Sequence, residues 1–223
     1  MVNMKYTDSH KPYYNSRGEE IPSATTILKI LNKPSLIHWA NYLGFKHIDV
    51  EDELNRTSAI GTAVHEVINW ILSKYYIILI DDDFINRRKL YPYLNNFFEW
   101  YNHHSIEPII LEKEFISDNY NYGGTLDFYG KVDNLYTIVD FKTSKQIRLS
   151  MFIQLALYCI LLESYGYTVE QVGIVLVNDK NGGHKFITRE ELQIYIDFAY
   201  KLVDIYHLYY ELNDKCKWND FIK

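Results

Sequence analysis

Asp140 and Lys142 stand two apart in the run Leu135–Lys142, which reads as a β-strand, so their side chains leave the same face. Asp127 lies on the preceding strand, within reach of that face across a hairpin. Glu112 lies on the strand before that. Three carboxylates gathered on one face repel one another unless positive charge sits among them. A divalent cation is the natural occupant, and oxygen ligands favour Mg²⁺ or Mn²⁺ over zinc. Such an ion lowers the pKa of a bound water and screens the charge of a phosphate. Lys142 beside it can orient the water or stabilise charge developing on the phosphoryl group. This is the chemistry of metal-assisted phosphodiester hydrolysis. An Asp-x-Lys pair alone is a weak sign of it, because most such pairs are ion pairs on a strand edge.

The elements that must position these residues follow from period and punctuation. Residues 1–105 read as mostly helical, 106–145 as three strands, and 146–223 as helix, strand pair, helix. Ser23 is placed to cap a helix over Ala24–Leu31, which Asn32, Lys33 and Pro34 interrupt. A second short helix is expected from Ser35 through Leu43, ended by Gly44. A third runs from about Asn55 to Lys74, with Ile60, Ala63, Val64, Val67, Ile68 and Ile71 at helical spacing. A fourth covers Asp81–His104, with Pro92 as a kink or break. Alternation then takes over across Ile109–Ile116, Gly123–Gly130 and Leu135–Lys142. Asp133-Asn134 is the turn of an antiparallel hairpin between the last two. Arg148–Tyr165 reads as a helix crossing to an apolar strand, Val172–Asn178, so one strand pair should be parallel. A short strand at Lys185–Ile187 follows. Thr188 with Glu191 forms a capping box for the final helix. The expected fold class is α/β: a mixed central β-sheet flanked by helices, with a helical N-terminal part.

Composition narrows the function classes. The chain has 223 residues, 48% hydrophobic and 23% charged, which excludes disorder as the main state. The net charge of −6 weighs against a protein that holds nucleic acid by bulk charge, but leaves room for one local basic groove. No apolar stretch approaches the ~20 residues needed to span a bilayer, and Met1–Asn15 carries no apolar signal-peptide core. Two cysteines, Cys159 and Cys216, build neither a disulfide framework nor a four-cysteine metal site. The expectation is a soluble, cytoplasmic protein without a membrane partner. Most of the 21 tyrosines read as compositional bias.

Five short motifs occur in one order: Gly61-Thr62-Ala63-Val64-His65, then Glu112 at 15 residues before Asp127, Gly123-Gly124-Thr125-Leu126-Asp127, Val139-Asp140-Phe141-Lys142-Thr143, and Gln154-Leu155-Ala156-Leu157-Tyr158. Together they resemble the PD-(D/E)XK nuclease superfamily, and within it the RecB-type exonuclease domains common in phages. Ile21–Ile27 and Leu36–Ala40 resemble the helical segment at the start of such domains. Each motif alone is weak; five in order over roughly a hundred residues are a strong signal.

The resemblance implies a restriction-endonuclease-like core and one nuclease domain over residues 1–223, with 1–105 the mostly helical part and 106–223 the catalytic core. It implies a DNA nuclease dependent on Mg²⁺ or Mn²⁺, an exonuclease more than an endonuclease, in recombination, repair or phage DNA metabolism. It would act in the cytoplasm, the host's if phage-encoded. By resemblance Asp127 and Asp140 are the main metal ligands, joined by the carbonyl of Phe141. Lys142 is the catalytic lysine, and His65 approaches the metal from its helix. Glu112 assists through a water or second metal, with Glu114 on the same face as runner-up. Gln154 and Tyr158, four apart on one helix face, position the phosphate or the strand, as does Thr143. Some relatives bind an iron–sulfur cluster with four cysteines; with two here, none is expected. No phosphate-loop motor motif is present, so a recombination or replication partner, or a homo-oligomer, is implied.

Cations that could meet DNA are Lys142, Lys145 and Arg148 after the hairpin, then Arg87-Arg88-Lys89, and Lys29 with Lys33. Lys145 and Arg148 are the preferred strand contacts, and Arg87–Lys89 the more ordinary solvated helix face. The competing readings are a structure-selective endonuclease with the same chemistry, or a non-catalytic nuclease-fold module that binds DNA or protein. Decayed modules usually lose an acidic residue or the lysine, and none is missing here.

Overall fold

The computed structural model describes residues 12–31, 34–73, 84–180 and 182–215. Asn32 and Lys33 as helix breakers, the start of a helix at Asp81 and Cys216 lie outside them, as do the side chains of Arg87, Arg88 and Lys89.

A five-stranded sheet organises the chain: β3 (Ile106–Ser117), β4 (Tyr122–Val132), β5 (Leu135–Lys142), β6 (Gln171–Leu176) and β7 (Gly183–Thr188), in that spatial order. All neighbours are antiparallel except β5 and β6, which run parallel. Their connection is α5 (Leu149–Ser164), the expected crossover. Asp133 and Asn134 both adopt left-handed φ, 50° and 69°, as a two-residue turn matched to strand twist demands.

Alternation along the strands sends side chains into two cores. On one face, Tyr129, Ile138, Val172 and Ile174 pack with α5, with α1 (Ala24–Ile27) and with α6 (Gln193–Lys215). On the other, Phe128, Val139, Phe141 and Val175 pack with α3 (Val50–Leu72) and α4 (Phe84–His103). Every residue from Met151 to Leu162 is buried, so α5 is apolar all round and lies within the core. A two-stranded hairpin, β1 (Tyr13–Tyr14) with β2 (Glu20–Ile21), precedes α1. It docks on the start of β4, where the Gly123 amide donates to the Pro22 carbonyl at 3.0 Å.

Several helix ends differ from expectation, each for a local reason. Ser23 caps α1 as expected, its Oγ accepting the Thr26 amide at 3.0 Å, but the helix tightens to a 3-10 turn at Leu28–Ile30. α2 (Pro34–Phe45) begins at a proline, whose missing N–H costs nothing at a first turn. It runs past Gly44; the left-handed residue after it is His47, at φ 54°. α3 starts at Val50, not Asn55, because the Asp49 carboxylate accepts the amides of Glu51 and Asp52 at 2.8 and 3.0 Å. α4 continues through Pro92. Thr188 and Glu191 form their reciprocal hydrogen bonds, at 2.8 and 3.1 Å, but in a turn, and α6 begins at Gln193.

Candidate active site

β4 and β5 pair only as far as Phe128 opposite Val139. Beyond that point the Asp127 carboxylate, not a β4 carbonyl, accepts the Phe141 amide at 2.9 Å. The strands therefore part at Asp127. A cleft of about 500 Å³ opens there, bounded by α3, β3, β4, β5, α5 and the segment from Tyr13 to Thr25.

Three side chains converge on it. His65 Nδ1 lies 3.4 Å from Asp127 Oδ2 and 3.8 Å from Glu112 Oε1. One ligand atom from each of the three lies within 4.8 Å of the others, an arrangement able to hold a metal ion. Glu112 is set in place by an unusual backbone. Leu111 and Lys113 pair with Phe128 and Leu126, while Glu112 between them has φ 45°. A non-glycine residue there is strained by about 1–3 kcal/mol, and such strain concentrates at functional sites.

Asp140 and Lys142 form a second group. Lys142 Nζ is 2.8 Å from each Asp140 oxygen, with hydrogen-bond geometry to Oδ1. Asp140 is 1% exposed, and beyond the ion-pair contact with Lys142 its Oδ2 makes no hydrogen bond. An acceptor buried with a free lone pair is costly unless something occupies it. A cation fits that need and the chemistry of the neighbouring carboxylates.

The charges tune one another. Burial would lower the His65 imidazole, but Asp127 and then Glu112 outweigh it and push it up to about 10. Burial would raise Asp127, yet His65 beside it, with Lys142 and the Phe141 amide, holds it below the usual carboxylate range. Asp140 goes the other way: burial and the Asp127 charge overcome Lys142 and raise it to about 6. Burial opposes charge on Lys142, but Asp140 and Asp127 more than offset it, so the ammonium persists. The cleft thus holds two kinds of aspartate, one firmly ionised and one near its titration point.

α5 supplies the far wall. Gln154 Nε2 donates to Tyr158 Oη at 2.8 Å, which gives the buried amide its partner. Burial, then Asp140 and Asp127, raise the Tyr158 phenol well above its ordinary value. Among the motif residues, His65, Glu112, Asp127, Asp140, Lys142, Gln154 and Tyr158 all line the cleft. Thr143, Lys145 and Arg148 do not, and Lys145 and Arg148 are exposed on the loop leading into α5. Glu114 pairs with Thr125 and is also outside the lining. Phe141 meets the site through its N–H, while its ring packs on Phe97 and Trp100. Asp140 stands outside the His65–Glu112–Asp127 group. With an imidazole nitrogen in that group, the balance moves from Mg²⁺ toward Mn²⁺, and zinc is admitted.

Sequence reasoning missed Tyr13. Its hydroxyl is 2.7 Å from Thr125 Oγ1 and its ring covers Gly123. Glu66 and Asn69 of α3 also face the cleft. The sequence signal for these two is the run His65-Glu66-Val67-Ile68-Asn69, polar residues on one side of a helix, which differs from a zinc-protease helix in carrying Asn69 in place of a second histidine.

No family model matches the chain, and no curated protein matches it. Several solved structures are similar, two of them as follows. The crystal structure of SSO0001 is 18% identical over 43% of this chain and 50% of that one, at a TM-score of 0.32. The chain thus spans half the length of SSO0001. The crystal structure of LHK-Exo in complex with dAMP is 12% identical over 65% of this chain and 77% of that one, at a TM-score of 0.36. Likenesses this slight leave function to the chemistry of the site. Among the described residues, no helix is long and apolar enough to cross a membrane.

Proposed function

We propose that the protein is a divalent-metal-dependent deoxyribonuclease, an exonuclease that hydrolyses phosphodiester bonds at DNA ends. The observation that carries the chemistry is the convergence of His65, Glu112 and Asp127 beside the Asp140–Lys142 pair in one cleft. The choice of DNA, of its ends, and of recombination, repair or phage DNA metabolism rests on the ordered motifs and their resemblance to RecB-type nucleases. On that reading residues 1–223 act as one nuclease domain in the cytoplasm.

Glu112, Asp127 and His65 would hold the cation, with Asp140 Oδ2 as a further ligand. When bound, it would supply Lewis-acid charge and a more acidic water. The residues have their own tasks. The amide of Phe141 fixes the Asp127 carboxylate. Asp140 keeps the Lys142 ammonium charged and aimed, so that it can donate to a phosphoryl oxygen where charge builds in the transition state. Gln154 and Tyr158, already bonded to each other, offer an amide and a phenol to the strand. Lys145 and Arg148 would meet phosphates outside the cleft.

The test is a cleavage time course on end-labelled linear DNA and closed circular DNA, with Mn²⁺ or Mg²⁺ and an EDTA control. Wild type should degrade only the linear DNA. Lys142→Ala should lose about 10²–10³-fold in rate or more. Metal at a hundredfold excess over its dissociation constant should stabilise wild type by about 2.7 kcal/mol, and Asp127→Ala much less. Nicking of the circle would move the reading to an endonuclease. Absence of both cleavage and metal stabilisation would overturn it.

A further inference from the structure

α6 carries two apolar faces where a surface helix normally has one. Ile196, Ala199, Leu202, Val203 and Tyr206 are buried in the core shared with α5. At 100° per residue, Ile194, Phe198, Ile205, Leu208 and Leu212 fall within an arc of about 80° on the other side. These five are between 43% and 73% exposed. The stripe is about 27 Å long at the helical rise. Monomers rarely leave a contiguous apolar patch above a few hundred Å².

Lys201 fills the one gap in the stripe, and the spacing then reads the same in both directions. Positions 194, 198, 201, 205, 208 and 212 are separated by 4, 3, 4, 3 and 4 residues. A two-fold axis at residue 203 sets Ile194 against Leu212, Phe198 against Leu208 and Lys201 against Ile205 of a second copy. This alternation is the seam of an antiparallel helix pair. A two-fold interface must be self-complementary, and this one is. Lys201 would lie level with Ile205 of the other copy, one residue from that copy's Asp204. Two lysines and two aspartates then alternate about the axis. Tyr209, itself 53% exposed, lies beside the stripe and widens the apolar face offered to the second copy.

We propose that the protein forms a two-fold dimer through the outer face of α6, the two helices antiparallel about residue 203. This is independent of the nuclease reading. Sedimentation equilibrium of the full chain tests it. Wild type should be dimeric at about 100 µM or below, and Ile205→Glu should weaken the dimer by about a hundredfold or more. The melting temperature of the monomeric variant should match that of wild type diluted to monomer, because Ile205 is already half exposed. Lys201→Asp and Asp204→Lys should each weaken association, and the double exchange should restore it. A wild type that stays monomeric, a dimer indifferent to Ile205→Glu, or a double exchange no better than the single ones would each overturn the proposal. So would a monomer that Ile205→Glu destabilises, since the stripe would then be covered by the chain itself.

Discussion

Two long helices deliver side chains to the cleft, and they are held in opposite ways. α5 is buried from Met151 to Leu162, so the wall bearing Gln154 and Tyr158 belongs to the core. α3 is 23 residues long but buries only Val64, Ile68 and Leu72, spaced four apart along one stripe. Ile60, Ala63, Val67 and Ile71 pack half-buried beside that stripe, and the remaining side of the helix turns His65, Glu66 and Asn69 to the cleft. On α5 a side chain answers to the fold and the site together. On α3 the two duties fall to different residues. This difference sets which substitutions can separate activity from stability.

The widest separation should come from one truncation on each wall. Leu157 of α5 is fully buried, and Leu157→Ala should cost about 2–5 kcal/mol through lost burial and the cavity left behind. Glu66 of α3 is exposed and lines the cleft, and Glu66→Ala should stay within about 0.5 kcal/mol. Denaturant melts of both variants, beside the cleavage assay, give the comparison directly. A large loss of stability in Glu66→Ala would show that α3 is anchored through its polar face as well.

Asp140 sharpens the contrast, because it is a buried group whose ionisation the fold opposes. Its pKa rises from 3.8 to about 6 on folding. A raised acid favours the folded state fully below pH 3.8, and that contribution is lost as pH climbs through about 6. Asp140→Asn cannot undergo this loss. In EDTA the variant should match wild type near pH 4 and exceed it near pH 7, by an amount of order 2–3 kcal/mol, while its cleavage collapses. Thermal melts at the two pH values check the sign. A variant less stable than wild type at pH 7 would mean that the Lys142 pair outweighs the burial of the carboxylate.

What could be read from the sequence follows the same division. β5 was legible to the residue, because alternation, the Asp133-Asn134 turn and the crossover to β6 are all local or nearly local signals. The motif carboxylates, Lys142, Gln154 and Tyr158 were legible as types at fixed spacings, and the fold brings them to one cleft. Other features were not legible. That β4 leaves β5 at Asp127 depends on a side chain replacing a ladder partner. That Glu112 sits at φ 45° depends on the register of β3 against β4. The placement of Tyr13 over Gly123 is a contact across more than a hundred residues. Helix ends erred where a cap outside the periodic run, Asp49, lengthened α3. Lys145 and Arg148 are near Lys142 in sequence, but they lie exposed on the segment leading into α5, outside the cleft lining, a placement that nearness in sequence does not give.

The two glycines before Thr125 offer the finest probe of the cleft's walls, since each lies under a tyrosine held by a different part of the fold. A Cβ at Gly124 would stand 2.7 Å from Tyr158 Cε1 and 3.2 Å from Cδ1. Tyr158 is 5% exposed and rides on the buried α5, so neither ring nor helix can yield easily. Gly124→Ala should therefore cost about 1–3 kcal/mol and displace the Tyr158–Gln154 pair. A Cβ at Gly123 would meet Tyr13 Cδ1 at the same 2.7 Å. Tyr13, however, is only half buried, on a two-residue strand, and its ring can swing aside. The loss is then chiefly the hydrogen bond to Thr125, about 0.5–1.5 kcal/mol. Denaturant midpoints of the two variants, measured with their cleavage rates, separate the cases. Equal costs would mean that the N-terminal hairpin is gripped as firmly as α5, and that the cleft has rigid walls on both of these sides, leaving α3 as its one yielding flank.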